Sequence, residues 1–277
     1  MATGVVMSEV LAPPEDEVWR PWCVSERSGF EVCEPRGRVG LVQIRANTFL
    51  VTNRFRFSDV AVEAMLVDQL RRNGVSADDA RRAVDNARTF NPTTENPTDL
   101  ASIPLFMRWF ENPYGVHTLA AIIHDELIVG TANGGALGSD TLSDTFFREM
   151  MRSAGVPWLK RWIMWSAVAL RSRLAAGSYR FWSVVGWMVL AVIGLTAFGW
   201  AVGSSVFSWA HPVDVGQLFA LAVILPLLAS LLWGRQAGAG LIAAVGALWI
   251  VPAAVFGGLG YLTYRALEHL LGRFGLE

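Results

Sequence analysis

Between Thr98 and Val129 the chain reads TDLASIPLFMRWFENPYGVHTLAAIIHDELIV, two polar signatures set in apolar and aromatic sequence. The first carries Asp99 and Ser102; the second carries His124 and Asp125; a further carboxylate follows at Asp144. An imidazole with carboxylates is a donor set suited to zinc, manganese, iron or magnesium, according to ligand count and geometry. A water bound to such an ion becomes a nucleophile for hydrolysis. On that reading His124, Asp125, Asp99 and Asp144 are the metal ligands of a divalent ion of unspecified identity, and His124, Asp125, Asp99 and Ser102 form the catalytic set. A Ser102–His124–Asp99 triad is the other catalytic arrangement these types allow, although no nucleophile-elbow glycine pattern surrounds Ser102. The structural alternative is that Asp99 caps a turn, Ser102 caps a helix, and His124 is a core histidine hydrogen-bonded to one of the aspartates.

These residues need elements to hold them. Residues 1–35 contain Pro13, Pro14, Pro21 and Pro35 and read as irregular. Val39–Arg45 and Thr48–Phe57 read as two strands; in the second, Phe49, Val51, Phe55 and Phe57 share a parity that Asn53 breaks. A helical hairpin follows over 59–95, its first helix stopped by Asn73-Gly74 and its second capped by Ser76. Its Arg71, Arg72, Arg81 and Arg82 suit an acidic partner or lipid headgroups, or a solvated surface with i,i+4 pairs, which the pattern favours. Ser102 is expected to cap a short helix running to about Phe110, and Val116–Val129 to form an amphipathic helix with His117 and His124 on one face. After the glycine-rich 130–138 loop, a helix is expected from about Ser143-Asp144 to Gly155. Pro157–Ala175 is a tryptophan- and arginine-rich helix, suited to a membrane interface or to a soluble core.

The last hundred residues differ in kind. Three nearly uncharged runs, about 181–205, 217–233 and 238–262, read as transmembrane spans with Trp and Tyr near their ends. The third is glycine-rich, which suits close helix packing, either within the chain or in a homo-oligomer. Five basic residues from Lys160 to Arg180 precede the first run, and the bias of Lys and Arg places the N-terminal part in the cytoplasm of a multi-pass protein of the inner (cytoplasmic) membrane. Its partner is then the lipid bilayer.

Bulk properties agree. Of 277 residues 53% are hydrophobic and 17% charged, more apolar than a typical soluble domain. The net charge of −1 gives no basic field for nucleic acid. Cys23 and Cys33 match no zinc or redox spacing and read as ordinary thiols, since a cytoplasmic setting disfavours a disulfide.

The motif order carries a resemblance. TDLASIP, PYG, AAIIHDEL and SDTFFREMMRSAGVP followed by a Trp-rich helix is similar to the thirteen-fifty-three domain-of-unknown-function family of phages, prophages and bacteria, over about Leu41–Leu174 with the hairpin as an interruption. The resemblance points to Asp99, Ser102, His124, Asp125 and Asp144 and implies a phage or mobile-element setting, without an established activity. Glu126-Leu127 stands where the family continues with an aromatic and Leu, and Ser143 stands where it has Ala. The HD pair also resembles that of metal-dependent phosphohydrolases, which need a further His; His117 is the other histidine before the apolar runs. The expected fold class is α+β: a small antiparallel sheet with helices, followed by an all-α three-helix transmembrane region. The expected divisions are 1–58, 59–95, 96–176 and 177–277. Two functions fit: a membrane-tethered metal-dependent hydrolase, or a non-enzymatic oligomeric scaffold or pore of phage or host-defence origin.

Overall fold

The computed structural model describes residues 21–25, 31–32, 39–45, 48–92, 97–100, 115–129, 135–207 and 214–273. The chain forms two compact units, Met1–Ile103 with Asn112–Trp165, and Pro104–Glu111 with Ser166–Glu277. It is mostly helical with small antiparallel sheets, the α+β class expected.

In the first unit, strands β1 (Trp22–Ser25), β2 (Glu31–Val32), β5 (Phe55–Phe57) and β6 (Thr89–Phe90) form one antiparallel sheet in the order β2-β1-β5-β6. Strands β3 (Leu41–Arg45) and β4 (Thr48–Val51) form a separate hairpin. Three expectations are corrected here. Residues 22–25 and 31–32 are strands rather than irregular chain: Trp22, Cys23 and Val24 are buried, and Pro21 sits just outside the ladder, where a missing N–H costs nothing. The expected strand 48–57 is two strands in different sheets. The break falls at Asn53, whose Oδ1 accepts from Gly40 N at 2.9 Å and Thr52 Oγ1 at 2.8 Å, which accounts for its parity. Cys23 is disulfide-bonded, which corrects the reading of two ordinary thiols; Cys33 lies outside the described residues.

The aromatic residues of β1 and β5 make the core of this unit. The Trp22 ring lies 5.3 Å from Phe57 and 6.0 Å from Phe55, and Phe55 stacks on Phe90 at 5.2 Å. Helix α1 (Val60–Arg72) buries Val62, Leu66 and Leu70, and α2 (Ala77–Ala87) buries Ala80, Val84 and Ala87. Gly74, at φ +91°, and Ser76, which caps α2, make the turn as the sequence indicates. Arg72, Arg81 and Arg82 pair with Asp68, Asp78 and Asp79 along exposed faces, the solvated-surface arrangement. Helix α3 (Thr118–Ile128) packs against α4 (Asp140–Ser153), whose Phe146 reaches Phe57 at 5.6 Å. Helix α4 starts at Asp140, earlier than Ser143, because Ser139 caps it through the Leu142 amide. The expected helix at 102–110 lies outside the described residues. Helix α5 (Trp158–Ala175) begins in this unit and ends in the other.

The second unit holds α6 (Ser178–Phe207), α7 (Val215–Ser230), a 3-10 turn at Leu231–Gln236 and α8 (Ala237–Arg273). Two stretches, Ser178–Phe207 and Val215–Ala247, are long and apolar enough to cross a membrane, by length and composition. The expected count of three spans is not reached among the described residues. Glycine lets α6 and α7 meet closely: a Cβ at Gly194 would lie 3.0 Å from Pro226 Cγ and 3.1 Å from the Ala222 carbonyl. Pro226 lacks the N–H that this carbonyl would otherwise accept, so the helix surface is open where α6 closes over it. Gly240 sits likewise against Trp233 and Ser230, whereas a Cβ at Gly257, Gly258 or Gly260 would meet nothing within 4 Å.

Asp59 joins two elements of the first unit. It caps α1 through the amides of Ala61 and Val62, and its Oδ2 accepts from Ser153 Oγ at the end of α4, 2.5 Å away. Partial burial pushes its carboxyl up, but the Ser153 hydroxyl, the Val62 and Ala61 amides and the nearby Arg152 together hold it below its ordinary value. A carboxyl lowered on folding stabilises the fold above the unfolded value and loses that contribution as pH falls through the folded one. Replacing Asp59 by Ala is expected to cost about 1 kcal/mol at neutral pH, with the deficit against wild type beginning to shrink below roughly pH 4 and closing as pH falls through the lowered folded value. Denaturant titration of both proteins in detergent across that range checks it; a deficit independent of pH refutes the linkage.

Candidate functional site

Helix α3 forms because Leu119, Ile122, Ile123 and Leu127 recur on a buried side, and this periodicity turns His124 inward as well. Helix α4 buries Phe146, Phe147, Met150 and Met151, and Asp144 shares that inner face. His124 Nε2 therefore meets Asp144 Oδ1 at 2.9 Å, with the imidazole 4.9 Å from the Phe147 ring. The residues are 4% and 0% exposed. With Asp144 ionised, Nε2 carries the proton and Nδ1 presents the lone pair, the tautomer a general base needs.

The TD motif arrives from another direction. Thr98 pairs with Phe49 of β4 by two backbone bonds, Phe49 N to Thr98 O at 2.8 Å and Thr98 N to Phe49 O at 2.9 Å. This extends the β3–β4 hairpin by one bridge. The Thr98 hydroxyl accepts from the Leu100 amide at 2.9 Å and donates to Asp125 Oδ2 at 3.4 Å. Leu100 is wholly buried at φ +73°, a left-handed conformation a branched side chain adopts at a cost, here held by the Thr98 turn. Three motif segments thus meet at two neighbouring residues of α3: His124 with Asp144, and Asp125 with Thr98.

The metal candidates divide accordingly. His124 and Asp144 come together, Asp125 is engaged with Thr98, and Asp99 is partly exposed beside it. Among the described residues no group of three or more His, Cys, Asp or Glu is placed to hold a metal ion. Ser102 lies outside the described residues. His117 is fully buried just before α3, against Gly115, where a Cβ would come 3.1 Å from its ring. Sequence reasoning missed Thr98, whose only signal was its place at the head of the motif, and Glu126, which is 1% exposed on α3.

Residues 77–168 match the model of a family described as Protein of unknown function (DUF1353). This bears out the resemblance over a stretch that runs from α2 into α5 and contains His124, Asp125 and Asp144. The match takes in α2, so the hairpin is not wholly an interruption of it. No curated protein and no solved structure matches the chain.

The pair predicts a coupling. Replacing His124 by Ala leaves Asp144 buried without its imidazole partner and is expected to cost roughly 3–5 kcal/mol. The His124→Ala/Asp144→Ala double variant should lose less than the sum of the single variants, by about 1.5–3 kcal/mol. Denaturant unfolding of the four proteins measures this, and additive losses refute the bond.

Proposed function

We propose that the protein is a membrane-anchored hydrolase of phage or mobile-element origin whose chemistry centres on His124 and Asp144. The observation that carries this reading is the meeting of three motif segments at His124-Asp125. Asp144 orients the imidazole, His124 accepts a proton from the attacking group, and Asp125, steadied by Thr98, supplies a second carboxylate beside it. A divalent metal fits in part: His124 and Asp144 offer one nitrogen and one oxygen, and a catalytic site ordinarily takes three protein donors. Asp125 and Asp99 are the candidates to complete it. Such an ion, when bound, lowers the pKa of water.

A second reading is favoured by the burial of the same pair. At 4% and 0% exposure it suits a fixed link between two helices as well as it suits a site. On that reading the protein is a non-enzymatic membrane scaffold or pore, working through an apolar unit that self-associates. Detergent purification without chelator, followed by metal quantification and a screen of phosphoester, ester and peptide substrates, separates the two. Wild type is expected to turn over at least one class, with Asp144→Asn reducing kcat by about 100-fold or more and retaining the fold. Stoichiometric metal lost in the variant would add the ion to the site. No turnover and no metal, with folded protein, would leave the scaffold.

For anchoring we favour three spans, with α8 crossing as the third, and the first unit in the cytoplasm. The five basic residues from Lys160 to Arg180 support that orientation. The disulfide at Cys23 pulls the other way, since such bonds are rare in reducing compartments. We weigh the charge bias more heavily because it acts on insertion itself. A membrane-impermeant maleimide applied to intact spheroplasts is expected to spare an Asp68→Cys thiol on the exposed face of α1 until the membrane is permeabilised; labelling of the intact spheroplasts would place this unit on the opposite side.

A further inference from the structure

The N-terminal end of α5 is built as an aromatic and cationic surface. Trp158 and Leu159 are 60% and 57% exposed, an adjacent pair of large apolar side chains in the open. Trp158, Trp162 and Trp165 form a ladder of rings 5.9 and 5.1 Å apart that sinks from surface to core. Arg148 of α4 lies over the inner two, 5.0 and 4.6 Å from their centroids. Its guanidinium and that of Arg152 both bind Glu149, at 3.0 and 2.7 Å. Arg161 enters the same cluster: burial lowers its pKa, Glu149 raises it, and Arg152 and Arg148 lower it again. Three guanidiniums thus gather about Glu149, with the Asp59 carboxyl near Arg152, leaving the guanidiniums one charge in excess; Lys160 is next in the chain. A core helix has no use for its outermost Trp and Leu standing in water above surplus positive charge. An interfacial helix needs both.

We propose that the first turn of α5, with Arg152 of α4, is a docking surface for anionic phospholipid headgroups. Trp158 and Leu159 enter the headgroup–acyl boundary, and Arg152, Lys160 and Arg161 meet phosphates. The charge excess selects an anionic lipid surface, and the same helix leads directly through Gly177 to α6, the first stretch able to cross a bilayer. The inference rests on the anchoring proposed above. It adds that the first unit itself binds the lipid surface rather than hanging from a tether.

The test uses the full chain reconstituted in vesicles. No described cysteine is free, so a Trp158→Cys variant carries one environment-sensitive fluorophore at the patch. An Asp68→Cys variant on the exposed face of α1 serves as control. Vesicles contain phosphatidylcholine alone or a roughly equal mixture with phosphatidylglycerol, and quenchers are doxyl lipid or aqueous iodide. At position 158 doxyl quenching is expected to be about twofold or more stronger with phosphatidylglycerol, and to fall towards the phosphatidylcholine value in about 1 M salt. The Arg152→Gln/Lys160→Gln/Arg161→Gln form should lose the difference, while position 68 stays open to iodide. Equal doxyl quenching in both vesicles overturns the assignment to anionic lipid. Free access of iodide to position 158 shows the patch facing water, and shielding from both quenchers shows a protein contact, such as a second copy; either overturns it. Because the vesicle series leaves the charges intact, a misfolded triple variant does not decide the outcome. Flotation of the chain with the vesicles reports anchoring separately.

Discussion

Asp144 has no exposed surface, and a carboxylate in that position must be met by a donor or lose its charge. The imidazole of His124 meets it at 2.9 Å. That bond fixes the rotation of α3 about its axis relative to α4. Turning α3 by one residue, about 100°, would withdraw the donor and bring a different set of side chains to the interface. The apolar contacts alone are tolerant, because Leu119, Ile122, Ile123 and Leu127 cover a broad stripe that could pack at several angles. The polar pair removes that freedom. Once α3 is set, Asp125 stands within reach of the Thr98 hydroxyl, and Thr98 in turn bridges Phe49 on the β3–β4 hairpin, so the same constraint extends to where the hairpin meets the motif.

The helical parts of the first unit were legible because their signals are local. Ser76, Asn73-Gly74 and the near-helical spacing of Val60, Met65, Leu66, Val67 and Leu70 act within a few turns of chain, although of these Leu66 and Leu70 are the ones buried, with Val62 beside them. The sheet was less so. Strand β1 is four residues long, too short for alternation to register, and what makes it a strand is burial against β5, about thirty residues later in sequence. The division of 48–57 follows from Asn53 bonding Gly40, a contact no window on the sequence contains. Both misses have one origin: strands are stabilised by distant partners, helix caps by near ones.

The site divides along the same line. His124, Asp125, Asp144 and Asp99 stood out by type, as polar residues among apolar ones, and His124 does bind an aspartate. Which aspartate was not legible, since Asp125 is adjacent and Asp144 lies across a helix pair. Helical geometry settles it: a side chain cannot turn back to its immediate neighbour on the same helix, whereas the facing helix offers a partner at hydrogen-bonding distance. Thr98 escaped notice for the complementary reason. A threonine has no distinctive chemistry until a backbone bridge holds its hydroxyl toward a carboxylate. The structure therefore pairs three of the four candidate ligands, His124 with Asp144 and Asp125 with Thr98, and any catalytic role must begin from that arrangement rather than from a ready ring of donors.

In the second unit, hydropathy counts apolar residues but does not see where the chain reverses. The stretch Val215–Ala247 is one apolar run, yet Gly234, at φ +55° and ψ −120°, breaks its helix and separates α7 from α8. A reversal in so apolar a setting needs its freed backbone groups answered. Arg173 of α5, 6% exposed, does this. It donates to the carbonyl of Trp233 and to Gln236 Oε1 at 2.8 Å, reaches Ser183 of α6 at 3.1 Å, and lies 5.2 Å from the centre of the Trp233 ring. One side chain thereby holds the end of α5, the beginning of α6 and the turn before α8 together. The chain must then run out along α6 and back along α7, so α8 starts at the end of the unit where α6 starts. Helix α7 has 16 residues, a length of about 24 Å that falls short of a hydrocarbon core of about 30 Å. The arginine sits at the turn, where Trp233 offers a carbonyl, rather than along either helix.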